Sequence, residues 1–185
     1  DFPGVCVVPT SLDDCWMRML SEDAKTPPGN PDKDTADFLA VQGQKTSWIA
    51  SAMADGGGDN LGWIDFAVFP PPRVDAPLIR RYAASVERAS REHITAASIW
   101  GPPADVTDIN PRRPCWHFAG GAIIVPHELA EWFEQEVMDA ASDVLRQTGL
   151  ITWEVNLWAI VAARHPTKFR WWQCDHDTTL LANAP

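Results

Sequence analysis

The strongest constraint on what this chain can fold into is a carboxylate inside an apolar run. Leu61 to Phe69 reads LGWIDFAVF, and Asp65 is its one charged residue. An almost continuous apolar run of this length predicts a central strand covered on both faces. A carboxylate in such a strand is expensive to bury unless a cation or a hydrogen-bond donor compensates it. Two compensations are open. One is a set of backbone amides at the strand end; the other is a hard cation, Mg²⁺ or Mn²⁺, shared with a diphosphate.

The segments around this run alternate between strand and helix patterns. Val5 to Val8 is a β-branched run that ends at Pro9 and Thr10, and Leu12 to Leu20 has the spacing of a helix start. Thr26 to Asp34 is a loop rich in Pro, Gly and charge, expected to be the most mobile internal segment. Lys45 to Ala54 predicts a helix with Trp48, Ile49 and Met53 on one face, stopped by Gly56 to Gly58. A further helix is expected from an Asp75 cap through Leu78, Ile79, Tyr82 and Val86. Ile94 to Trp100 reads as a strand, and so does Ala122 to Val125 after Gly120-Gly121. Pro126 opens the clearest helix, with Leu129, Trp132, Phe133, Val137, Ala140, Val144 and Leu145 inward and Gly149 as its stop. Thr152 is positioned to cap a last helix with Leu157, Ile160 and Val161 inward, and Lys168 to Trp172 reads as a final strand. The pattern predicts one α/β domain over residues 1–185, with its ligand crevice beyond the carboxyl ends of the strands.

Composition narrows the partners. The formal net charge is -10, which disfavours nucleic acid while leaving room for a nucleotide neutralised by a cation. Ten Trp against one Tyr point first to core packing, and second to platforms for sugar rings. Cys6, Cys15, Cys115 and Cys174 are scattered, so they read as reduced, packed thiols. No apolar run reaches membrane-spanning length, and the expectation is a cytoplasmic protein. The start at Asp1, without Met, is read as a chain lacking a native N-terminal segment.

Several polar residues near strand ends are candidates for chemistry. His176, flanked by Asp175 and Asp177, is either a metal ligand paired with the distant Asp65 or part of a solvated turn. Glu154 is either a partner of its helix dipole or a general base for an acceptor hydroxyl, with Trp153 as an apolar wall or a stacking face for a sugar. Gly120 and Gly121 allow either close ligand approach or a tight turn. Lys45 sits where a helix dipole disfavours a cation, which suggests a phosphate contact beside the commoner reading of a solvated lysine.

Gln44-Lys45, Leu61 to Val68, Trp116 to Ile124 (WHFAGGAII) and Thr152 to Trp158 (TWEVNLW) together resemble the HtrL-like group of bacterial glycosyltransferases, related to GT-A enzymes. The likeness covers most of the chain from about Ala40 onward. It implies a GT-A-like mixed sheet flanked by helices that binds a nucleotide-diphosphate sugar with a divalent metal, Mn²⁺ or Mg²⁺. Asp65 would stand at the metal-binding acidic motif, although Trp63 and Ala67 occupy the positions two residues either side. His176 would complete the metal shell, and Thr10, Lys45 and Asp65 would contact the donor. Trp63, Gly120, Gly121 and Trp153 would border the sugars, and Glu154 would take the proton of a hydroxyl acceptor, a glycan. Two other classes fit the lone Asp65: a non-catalytic sugar- or nucleotide-binding module on a degenerate scaffold, and a metal-dependent hydrolase of a phosphoester or sugar nucleotide.

Overall fold

A computed structural model describes residues 8–20, 24–31, 34–56, 58–65 and 75–185. The described chain runs α1 (Trp16–Leu20), α2 (Ala36–Gly43), α3 (Lys45–Ala54), β1 (Asn60–Ile64), α4 (Ala76–Arg88), β2 (Ile94–Ser98), β3 (Ala122–Pro126), α5 (His127–Thr148), α6 (Glu154–Arg164), β4 (Phe169–Gln173) and α7 (Thr179–Ala182). The four strands form one mixed sheet in the order β1-β3-β2-β4. β3 is antiparallel to both β1 and β2, and β2 is parallel to β4. The carboxyl ends of β1, β2 and β4 therefore share one edge of the sheet with the amino end of β3. No helix among the described residues is long and apolar enough to cross a membrane.

The sheet has a core on each face, as the two-residue alternation of strands requires. On one side Ile94, Ala96, Ile123 and Val125 meet the buried stripes of α3, α5 and α6. Phe133 of α5 packs there against Trp158 of α6 and Phe169 of β4, with ring centroids 6.2 and 5.9 Å apart. On the other side Ala97, Ala122, Ile124 and Trp172 meet Tyr82 of α4 and Leu180 and Leu181 of α7. The Tyr82 hydroxyl lies 3.1 Å from the Trp63 carbonyl and 2.9 Å from that of Ile123, and burial raises its pKa.

The helix ends follow local chemistry. The Asp75 carboxylate accepts the Leu78 N–H at 2.9 Å and starts α4. Gly149 takes the left-handed conformation, φ 70°, and its N–H bonds the Leu145 carbonyl at 2.7 Å to end α5. Of the loop 26–34, Asp34 accepts the Asn30 N–H at 2.7 Å and the Trp153 indole N–H at 2.9 Å, so its C-terminal end is tied to the body of the fold.

Several expectations are corrected. β1 is the edge strand of the described sheet, half-buried along its length, not a central strand covered on both faces. Its run is apolar because Trp63 stacks on Trp48 of α3 at 5.8 Å while α4 packs against the strand, so even an edge position is partly covered. Residues 66–69 of that run, and 5–7 of the expected first strand, lie outside the described residues. The expected helix Leu12 to Leu20 is a 3-10 turn, Leu12–Asp14, followed by the short α1. Thr152 does not cap α6, because its hydroxyl donates to the Pro111 carbonyl at 3.0 Å.

Candidate functional site

Lys45, Asp65, Gly120 and Glu154 come from four separate parts of the sequence and meet at the sheet edge that carries the carboxyl ends of β1, β2 and β4. Lys45 opens α3, and Asp65 is the first residue past β1. Gly120 precedes β3, and Glu154 opens α6. The Lys45 Nζ stands 3.0 Å from Asp65 Oδ2 and 2.9 Å from Glu154 Oε1, and donates to the Gly120 carbonyl at 3.1 Å. The lysine and glutamate side chains are 3% and 7% exposed, whereas that of Asp65 is 15% exposed. Asp65 is therefore the member of the triad nearest solvent.

This arrangement answers why a lysine opens α3. A helix amino end repels a cation, but two carboxylates within 3.0 Å outweigh that repulsion. Glu154 in turn sits in the first turn of α6, where the dipole favours its charge. The Lys45 ammonium donates to the Gly120 carbonyl and to Glu154 Oε1, and forms an ion pair with Asp65 Oδ2. Lys45 is thus a buried cation held between two carboxylates, where the expectation was a phosphate contact or a solvated lysine.

The glycine pair belongs to the same assembly. A Cβ on Gly120 would stand 2.1 Å from Glu154 Oε1, so the missing side chain is accounted for by the glutamate without invoking a ligand. The Gly121 carbonyl accepts the Asp65 N–H at 2.9 Å and fixes the backbone on which Asp65 rides.

The other expected site residues are distributed differently. Trp153 is 6% exposed with its N–H tied to Asp34, so it offers no open face to a sugar, and the stacking role is corrected to core packing. Trp63 is half-buried with one face against Trp48. Thr10 is exposed in the segment before the Leu12–Asp14 turn. His176 follows β4, three strand positions across the sheet from β1, which is about 14 Å at the usual strand spacing. Its ring meets Trp116 near-perpendicularly at 4.5 Å. The described residues contain no group of three or more His, Cys, Asp and Glu that could hold a metal. At the same end of β4, burial pushes the Cys174 thiol up to about 11, so it is a packed thiol and not a thiolate at neutral pH.

Asn156 is a structural residue that the sequence does not flag by type. It is fully buried in α6. Its Oδ1 accepts the Cys115 N–H at 2.7 Å, while its Nδ2 donates to the Arg113 carbonyl at 2.9 Å and the Thr152 hydroxyl at 2.8 Å. These bonds tie the loop before Trp116 to the start of α6. Its signal was the one that marks Asp65, since Glu154 and Asn156 are the only polar residues before Arg164 in an apolar helix. Asn156→Ala is expected to cost about 2 kcal/mol by leaving buried groups unpaired. Urea unfolding checks this, and a loss within error of zero would mean that water replaces the amide.

The carboxyl ends of β1 and β2 flank the Gly120-Gly121 turn, at the end of the sheet where α/β sheets commonly bind ligands. Comparison of the chain with protein-family models, with curated proteins and with solved structures finds no match.

Proposed function

We propose that this chain is a GT-A-type glycosyltransferase that binds a nucleotide-diphosphate sugar at the carboxyl edge of its sheet and moves the hexose to a hydroxyl acceptor. The observation that carries the reading is Asp65, the most exposed member of a buried ion triad, set at the carboxyl end of β1 beside a glycine turn. In the transfer the acceptor oxygen bonds the anomeric carbon, the bond to the diphosphate oxygen breaks, and the acceptor hydroxyl gives up its proton. Lys45 and Glu154 fix the charge around Asp65, so that its carboxylate accepts from hydroxyls of the donor's sugars, not from its anionic diphosphate, without reorganising. Glu154 is buried and bonded to Lys45, so positioning is the role its geometry supports best. No step is routed through a metal.

A second reading is a donor-binding module without turnover. It is favoured by the burial of Glu154, which is 5% exposed and bonded to Lys45. One experiment addresses both. Melting temperatures are measured with nucleoside diphosphates and sugar nucleotides, in Mn²⁺ and in EDTA, for the wild type and Asp65→Asn. A ligand at 100 times its Kd stabilises the fold by about 2.7 kcal/mol. The proposal expects a rise in the wild type that Asp65→Asn loses, followed by sugar transfer in an acceptor screen. Binding without transfer or donor hydrolysis favours the module. Absence of any rise in a well-folded wild type sinks both readings, and donor hydrolysis alone selects a hydrolase.

A further inference from the structure

Three tryptophans outside the ion triad are linked by contacts between β4 and the segments that follow β2 and precede β3. Trp100, just past β2, is 56% exposed, and Trp171 on β4 is 46% exposed; they are the two exposed tryptophans among the described residues. The Trp171 ring lies 3.9 Å from where a Cβ on Gly101 would stand. Trp100 meets His117 near-perpendicularly at 5.6 Å, and the His117 Nδ1 is 2.8 Å from the Gly101 carbonyl. The backbone N–H of Trp100 donates to the backbone carbonyl of Trp116 at 3.0 Å, and the Trp116 ring has that of His176 against it at 4.5 Å. The contacts thus run without a break from Trp171 to His176.

Single exposed apolar side chains need no explanation, but two half-exposed indoles brought together around Gly101 offer a contact surface. The chemistry of the strip limits its occupant. Asp175 and Asp177 are exposed on either side of His176, and the chain is acidic overall, so a phosphate polymer is repelled. A pyranose ring suits this surface: its C–H face covers an indole, and its hydroxyl rim meets carboxylates and imidazoles. The placement is equally specific. Residues 116–120 join the strip to the carbonyl that holds Lys45, and four residues of extended chain span at most about 14 Å. A short saccharide lying on the strip therefore reaches the ion triad with one end.

We infer that the strip of Trp100, Trp116 and Trp171 is a platform for an uncharged oligosaccharide, the glycan acceptor of the transfer proposed above, on which this assignment rests. The test is an array of immobilised gluco-, manno-, galacto- and N-acetylglucosamine oligomers with sulfated and sialylated counterparts. At least one uncharged oligomer is expected to retain the protein. Trp100→Ala and Trp171→Ala are each expected to weaken that retention about tenfold, with melting temperatures unchanged because both side chains are exposed. Retention of acidic glycans alone, no retention at all, or retention indifferent to both variants would overturn the platform. Donor stabilisation of the melting temperature is read separately. Glycan retention without donor stabilisation leaves the platform standing and removes the transferase, whereas donor stabilisation without glycan retention removes the platform alone.

Discussion

Lys45→Met is expected to lower the stability of the fold by about 3–5 kcal/mol, because it leaves two carboxylates facing each other without their cation. Lys45 supplies the short contacts to both Asp65 and Glu154, at 3.0 and 2.9 Å, and its side chain is 3% exposed. Met has nearly the volume of the lysine stem, so the loss reflects charge and not a cavity. The control is the triple variant Lys45→Met, Asp65→Asn, Glu154→Gln, which removes the unpaired charges together. Neutral replacement of a whole buried ion cluster is often close to neutral in stability, so the triple variant should recover most of the loss. Urea unfolding of both proteins makes the comparison. A single-variant loss below about 1 kcal/mol is the size expected of a solvated surface pair and would show that water reaches the carboxylates freely.

How much of this could be seen in the sequence depended on whether the cause was local. The Asp75 cap and the Gly149 stop are local, since each acts on a backbone group within four residues, and both helix ends stand where the sequence puts them. Strand positions 94–98 and 122–126 also follow from short apolar runs bounded by turn residues. The charge of Asp65 is legible as an anomaly because an apolar run surrounds it. Its solution is not legible: Lys45 and Glu154 are 109 residues apart, and nothing in either neighbourhood reports the other. A phosphate contact for Lys45 and an accessible base role for Glu154 were each reasonable alone. Their pairing makes a different object, an internal cation between two carboxylates. The edge position of β1 was hidden for a related reason, because a central strand and an edge strand flanked by Trp48 and Tyr82 present the same apolar letters. The placing of β1 and β4 at opposite edges of the described sheet is set by strand order, which pattern along the chain does not encode.

Gly120→Ala is expected to cost about 3 kcal/mol, the upper end of what a single added carbon costs in a packed site. The new Cβ would lie 2.1 Å from Glu154 Oε1, 3.1 Å from its Cδ and 3.2 Å from Val155 Cγ1. Neither side can retreat at low cost. The Gly120 carbonyl is held by Lys45 at 3.1 Å, and the adjoining Gly121 carbonyl is held by the Asp65 N–H at 2.9 Å. Movement of Glu154 would break its contact with Lys45 and expose an unbalanced charge to the core. Glu154→Ala removes the atoms that clash, although Val155 still crowds the new methyl. The double variant Gly120→Ala, Glu154→Ala is therefore expected to lose at least about 1 kcal/mol less than the sum of the single losses, a coupling of the size found between residues in contact. Strict additivity would mean that Glu154 does not press on Gly120. The glycine would then be free to serve a ligand, and the substrate-side reading of the Gly120-Gly121 turn would return. Coupling of the expected sign would instead assign the turn to the ion triad, leaving Asp65 as the part of this edge that meets the donor.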